Sequence, residues 1–148
     1  AAGIMVLYDS WIRSNAASVG NKKEEGSVMS FCHVTLTVRD LDASIRFYTE
    51  VVGLPIDSRY QAGPDTEIAF LGAGETKVEL ICNKKQPDAV VGTGVSIGFK
   101  VEAVPEKLAG IKGSEIPVIS DIIQPNPHVR FFYVADPDGF RVQFIENL

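Results

Sequence analysis

At 148 residues, with 45% hydrophobic and 22% charged residues, the chain has the size and balance of a single soluble domain that can bury a substantial core. Its net charge of -5 and pI near 5.0 exclude the basic stripe that a nucleic-acid or anionic-membrane partner requires, since Lys22-Lys23 and Lys84-Lys85 are isolated, solvated pairs. The longest clean apolar run near the N-terminus, residues 4–8, is too short to cross a bilayer and lacks a basic flank, so no secretion signal or membrane anchor is expected and the location expected is cytoplasmic.

Residues 1–28 do not resemble the rest of the chain. An apolar stretch containing Trp11 runs into a polar, small-residue segment. The expectation is an N-terminal extension, either an arm that reaches a partner subunit or a leader foreign to the domain, followed by one compact domain over residues 29–148.

The first unit of that domain opens on residues 31–38, where Cys32, Val34, Leu36 and Val38 alternate with His33, Thr35 and Thr37. This is a strand with one apolar and one polar face. From Leu41 the period changes to that of a helix, with Leu41, Ile45, Tyr48 and Val52 on one side, Asp40 or Asp42 to cap the first turn, and Gly53 as a left-handed stop. Strands follow at 54–61, 66–71 and 76–82, separated by Ala62-Gly63-Pro64-Asp65 and Gly72-Ala73-Gly74. In the last of them Lys77, Glu79 and Ile81 face one way, and Val78, Leu80 and Cys82 the other. Cys32 and Cys82 are therefore expected as reduced, core-facing thiols, and no cysteine or histidine spacing typical of a structural zinc site occurs.

The pattern then starts again. Residues 95–101 alternate as a strand, a short helix is expected over 105–111, strands over 117–123 and 129–135, a turn at Asp136-Pro137-Asp138-Gly139, and a final strand over 141–145. His33 corresponds to Ser96, and Glu79 to Gln143, at the same spacing to within one residue. An internal duplication is the economical explanation. The expected fold is α+β, with paired βαβββ modules, residues 31–86 and 94–148, forming a curved mixed sheet around a cleft. His33, Thr35, Thr37, Lys77, Glu79, Ser96, Gly98, Lys100, Arg141 and Gln143 would line it, and a polar cleft of this kind holds a small molecule.

The stretches HVTLTVRDLDASIRFYTEVVGLPI, KVELICN and FFYVADPDGFRVQFIEN resemble the vicinal oxygen chelate superfamily, which includes glyoxalase I, the bleomycin and fosfomycin resistance proteins and the extradiol dioxygenases. The resemblance runs from about Phe31 to the C-terminus. It implies metal ligands on the first and fourth strands of each module, at His33, Glu79, Ser96 and Gln143. His33 and Glu79 match the glyoxalase-type pattern, whereas Ser96 stands where histidine is usual and Gln143 where glutamate is usual. The metal set implied is His33, Glu79 and Gln143, holding Zn²⁺, Ni²⁺, Mn²⁺ or Fe²⁺, with Glu79 as the catalytic base. Asn83 matches a glyoxalase position that contacts glutathione. Thr37 stands where glyoxalase I carries an arginine that grips the glutathione carboxylate, which argues against a glutathione adduct as substrate.

Two functions stay open at this point. One is a metal-dependent lyase or isomerase of the glyoxalase type with a degenerate metal site; dioxygenase chemistry is disfavoured because Ser96 breaks the two-histidine, one-carboxylate triad. The other is a metal-free binder of small molecules resembling the bleomycin resistance proteins, with aromatic surface from Tyr60, Phe131, Phe132, Tyr133 and Phe140. Thr35, Thr37, Asn83, Ser96, His128 and Arg141 are the candidate substrate contacts. His128 is a candidate stand-in ligand or proton carrier, though a histidine at a strand entrance is as readily a surface residue; Glu79 is equally half of an ion pair, and Asp136 and Asp138 are turn-formers. The resemblance also implies a homodimer whose sites combine His33 and Glu79 of one chain with Ser96 and Gln143 of the other, pairing within one chain being the alternative.

Overall fold

A computed structural model describes residues 30–86, 88 and 90–148 of the chain; the N-terminal extension, Trp11 included, lies outside them. From Phe31 to Leu148 the chain forms one compact unit. Its elements are β1 (His33–Thr37), α1 (Leu41–Arg46) continuing as a π-helical turn (Phe47–Val52), β2 (Ile56–Gln61), β3 (Thr66–Leu71) and β4 (Lys77–Asn83). The second series is β5 (Ser96–Lys100), α2 (Val104–Ile111), β6 (Ile123–Asn126), β7 (Val129–Ala135) and β8 (Arg141–Asn147).

Each series makes a four-stranded mixed sheet, in the orders β1-β4-β3-β2 and β5-β8-β7-β6. In both, the first strand lies parallel to the last, and the remaining pairs are antiparallel. The duplication read from the sequence is thus a duplication of topology, and the fold is α+β as expected. One strand is displaced from its expected place: residues 117–123 do not form a ladder. Val118 makes a single bridge to Val134, and β6 begins only at Ile123. Pro117 offers no N–H to a ladder, and its carbonyl instead accepts from Ala135 N at 2.9 Å.

The helix starts where an acidic cap can satisfy its first free amide: Asp40 Oδ1 accepts from Ala43 N at 3.0 Å, so Asp40, not Asp42, is the cap. It ends at Gly53, whose φ of 93° is the left-handed conformation that lets Leu54 N reach back to Tyr48 O at 2.9 Å. The DPDG turn is held from within by Asp136, whose Oδ1 accepts from the amides of Asp138, Gly139 and Phe140.

The two modules share one core. Leu36, Leu71 and Leu80 of the first sheet and Phe132, Val134, Val142 and Phe144 of the second all belong to it. The contacts that join the modules lie on this side. Tyr48 packs edge-on against Phe99 with centroids 6.4 Å apart, Arg39 pairs with Asp138 at 2.7 Å, and the Lys107 amine donates to Val51 O while lying 4.9 Å from the Phe144 ring. Each sheet therefore commits one face to the common core, and the polar face of each points away from it.

Cys32 corrects an expectation. It is exposed, because regular pairing begins one residue later at His33, while Cys82 is partly buried against the core. Both thiols are free.

Candidate functional site

On the outward face of the first sheet, parallel pairing sets Thr35 opposite Glu79 and His33 opposite Lys77. This brings His33 Nε2 to 3.5 Å from Glu79 Oε2. The Thr35 hydroxyl donates to the same Oε2. Glu79 is largely covered, its side chain 11% exposed, whereas His33 at 40% reaches solvent. Phe70, paired with Glu79 across β3, presents its ring edge-on to the imidazole at 5.8 Å. A buried carboxylate, an accessible imidazole and an aromatic ring thus meet across β4, β1 and β3.

Lys77 is not the partner of Glu79. Its ammonium turns to Asp57 at 2.9 Å and to the Gly72 carbonyl at 2.6 Å. The other imidazole nitrogen of His33, Nδ1, lies 3.3 Å from Cys32 Sγ. Thr37 is exposed opposite Ile81, and Asn83 ends β4 with its Oδ1 accepting from Lys85 N at 2.9 Å.

The second sheet carries the other expected residues. Ser96 pairs with Arg141, Gly98 with Gln143, and Gln143 in turn with Tyr133. Gln143 Nε2 donates to the Tyr133 hydroxyl at 3.0 Å, which leaves its carbonyl oxygen as an acceptor. Arg141 lies over the Tyr133 ring, Cζ 4.5 Å from the centroid. Phe70 is a site residue that the sequence did not single out, and Tyr133 one that it offered only as aromatic surface for a metal-free binder. The signal that finds them is register: each stands directly across from a candidate ligand, on the face that alternation assigns to it. Phe132, by contrast, is fully buried.

His128 stands apart. It is exposed in the turn between β6 and β7, where its carbonyl accepts from Leu148 N, at the opposite end of β8 from Arg141. At the rise of a strand that is about 20 Å away.

The donor set fits a divalent ion by halves. With metal–ligand bonds of about 2.0–2.2 Å, neighbouring ligands of one ion stand roughly 3.0–3.4 Å apart. The 3.5 Å between His33 Nε2 and Glu79 Oε2 needs almost no rearrangement. The second half offers only neutral oxygens, the amide of Gln143 and the hydroxyl of Ser96. Among the described residues no three His, Cys, Asp or Glu side chains converge.

Two βαβββ modules of like topology, with ligand-type side chains on matching strands, define the chain as a duplicated α+β protein. Residues 30–144 match the family described as the Glyoxalase/Bleomycin resistance protein/Dioxygenase superfamily, and the chain belongs to it. It is 32% identical over 129 residues to the lactoylglutathione lyase of Haemophilus influenzae, covering 80% of this chain and 93% of that protein. Among solved structures, it resembles the trypanothione-dependent glyoxalase I of Leishmania major, at 28% identity and a TM-score of 0.68, over 80% of this chain and 87% of that one. It also shares the fold of TnmS3, an antibiotic-binding protein from a Streptomyces species, at 16% identity and a TM-score of 0.65, over 84% of this chain and all of that one.

Proposed function

We propose that the protein is a lyase or isomerase of the glyoxalase type, acting on a small molecule beside a divalent ion held by His33, Glu79 and Gln143. The single observation that carries this reading is the His33–Glu79 pair, set at ligand spacing on an outward sheet face with Thr35 fixing the carboxylate. The likeness to lactoylglutathione lyases at about a third identity supports the same reaction class. When bound, the ion supplies a Lewis acid for adjacent oxygens of the substrate. Zn²⁺, Ni²⁺, Mn²⁺ and Fe²⁺ all accept this mixture of imidazole and oxygen donors.

Glu79 is the base. Its Oε2 takes the Thr35 hydrogen bond and faces His33, so Oε1 is the atom that accepts a substrate proton. Phe70 flanks the imidazole edge-on, while Thr37 and Asn83 offer hydroxyl and amide groups along the same face. Ser96 and Arg141 contact the substrate from the second sheet. Thr37 in place of arginine points to a substrate other than a glutathione adduct.

Because the chain's own modules meet through their helix sides, the two polar faces do not close on each other within that shared core. This supports a homodimer in which His33 and Glu79 of one chain meet Ser96 and Gln143 of the other. The two free thiols support a cytoplasmic protein. A metal-free binder is the second reading, favoured by the engagement of Gln143 with Tyr133 and by the neutral Ser96.

Metal analysis of gently purified protein, with His33→Ala and Glu79→Gln as controls, tests the enzyme. Near-stoichiometric divalent ion in the wild type and its loss in both variants are expected. If the wild type neither carries nor takes up any divalent ion, the binder reading replaces it, and thermal stabilisation by ligands should then be indifferent to chelator. Light scattering tests the dimer. Mixing His33→Ala with Gln143→Ala subunits should restore part of the metal binding if sites span two chains.

A further inference from the structure

We propose that the second sheet carries a binding site for an oxyanion, a carboxylate or phosphonate borne by a small organic molecule, centred on Arg141. This deepens the reading above by naming the charge of the molecule, and rests on it only for placing that molecule against the outward sheet faces.

Along β8, Val142, Phe144 and Glu146 are buried, so Arg141, Gln143 and Ile145 take the outward face. The Arg141 guanidinium lies over Tyr133, Cζ 4.5 Å from the ring centroid, and Gln143 donates to the Tyr133 hydroxyl, so the cation rests on a held aromatic platform. Its Nε is buried and donates to nothing. An N–H withdrawn from water without an acceptor is costly, and it is the kind of vacancy that an incoming oxyanion fills.

Of the other described arginines, Arg46 is exposed on α1 without an ion-pair partner among the described residues, and the remaining three are paired. Arg39, Arg59 and Arg130 each sit 2.7 Å from a carboxylate oxygen. Among the described residues no carboxylate lies at ion-pair distance from Arg141. Within the strands of this sheet, Lys100 and Arg141 are the only charged residues on the outward face, since Arg130 and Glu146 pair with each other on the core side. The two neutral replacements, Ser96 and Gln143, belong to the same pattern: a face without negative charge does not repel an anion.

Gly98 keeps the floor open. A Cβ there would come to 3.2 Å from Gln143 Oε1, so glycine preserves the space beside that amide. The planar guanidinium offers parallel N–H donors, the geometry that carboxylates and phosphonates match.

The test uses benzoate and phenylphosphonate as probes and neutral benzamide as control, on the full chain, by calorimetric titration and thermal shift in chelator. Benzoate and phenylphosphonate should bind saturably, with benzamide at least tenfold weaker. Arg141→Gln should lose tenfold or more in affinity for the anions and leave benzamide unchanged, and Arg141→Lys should lose less. The Arg141 Nε–H resonance of the wild type, identified by its disappearance in Arg141→Lys, should move with benzoate and stay still with benzamide, which decides the matter even if Arg141→Gln fails to fold. Equal binding of benzoate and benzamide, a folded Arg141→Gln that keeps full anion affinity, or an unmoved Nε–H signal overturns the inference. Because chelator is present throughout, these outcomes are independent of whether His33 and Glu79 hold a metal.

Discussion

The hydroxyl of Tyr48 donates to Oδ2 of Asp136 at 3.0 Å, joining the helical segment of the first module to the DPDG turn of the second across 88 residues of sequence. The other oxygen of Asp136 accepts from three backbone amides, so one carboxylate both shapes a turn and fastens the modules. Tyr48→Phe removes the donor and leaves a buried acceptor short of one partner. A loss of about 1–3 kcal/mol is expected in denaturant unfolding, with the turn itself intact.

Asp136 and Glu146 pull the acid stability of the protein in opposite directions. Burial pushes the Asp136 carboxyl up, against the hydrogen bonds from Phe140 N, Tyr48 and Asp138 N. The folded state thus holds that proton more tightly than the unfolded chain, and the contribution of Asp136 is most favourable at acid pH and declines as pH rises through the carboxylate range. Glu146 is held below its ordinary 4.5 by Arg130, and then by the amide of Val104 at the start of α2. Its contribution is complete above that value and is lost as pH falls through the lowered one. Glu146→Gln should therefore flatten the acid limb of stability measured between about pH 5 and pH 2, where Asp136→Asn should steepen it.

Thr35 orients the proposed base. Thr35→Val keeps the shape of β1 and removes the hydrogen bond to Glu79 Oε2. Groups that fix a metal-binding carboxylate are commonly worth about 10–100-fold in affinity. Competition with a chromogenic chelator should show a loss in that range, with a melting temperature close to the wild type.

Gln143→Glu restores a second carboxylate at the fourth-strand position. It should tighten divalent binding at least tenfold, and more when combined with Ser96→His, which returns an imidazole. The same chelator competition reads both. Unchanged affinity in the double variant would mean that these positions do not face the His33–Glu79 pair in the assembled protein.

Much of the architecture was legible because alternation and breaks are local signals. The polar positions of 31–38 and 76–82 fell on the expected face, and Gly53 and the DPDG turn stopped the chain where they should. The stretch 117–123 misled because its apolar residues read as a continuous strand, whereas it touches β7 only through a single bridge at Val118 and the ladder starts at Ile123. Cys32 misled in the same way, since alternation does not say where a ladder starts. At the site, alternation placed His33 and Glu79 on polar strand faces, and the resemblance to the vicinal oxygen chelate superfamily is what put them together as a pair. The platform of Tyr133 under Arg141 was not legible, because it depends on which residue of β7 stands across from Gln143, and register between strands is set by the whole sheet and not by either strand's own sequence.

The widened turn of Phe47–Val52 has a bearing on how the joint between the modules can drift. Such a turn accommodates one residue more than a regular α-helical path would, so a single-residue deletion there leaves a sound helix behind. Each residue of an α-helix turns the chain by about 100°, and the deletion would swing the Tyr48 phenol away from Asp136. The seam between the halves thus leans on one widened helical turn, which lies outside every strand that carries a candidate ligand.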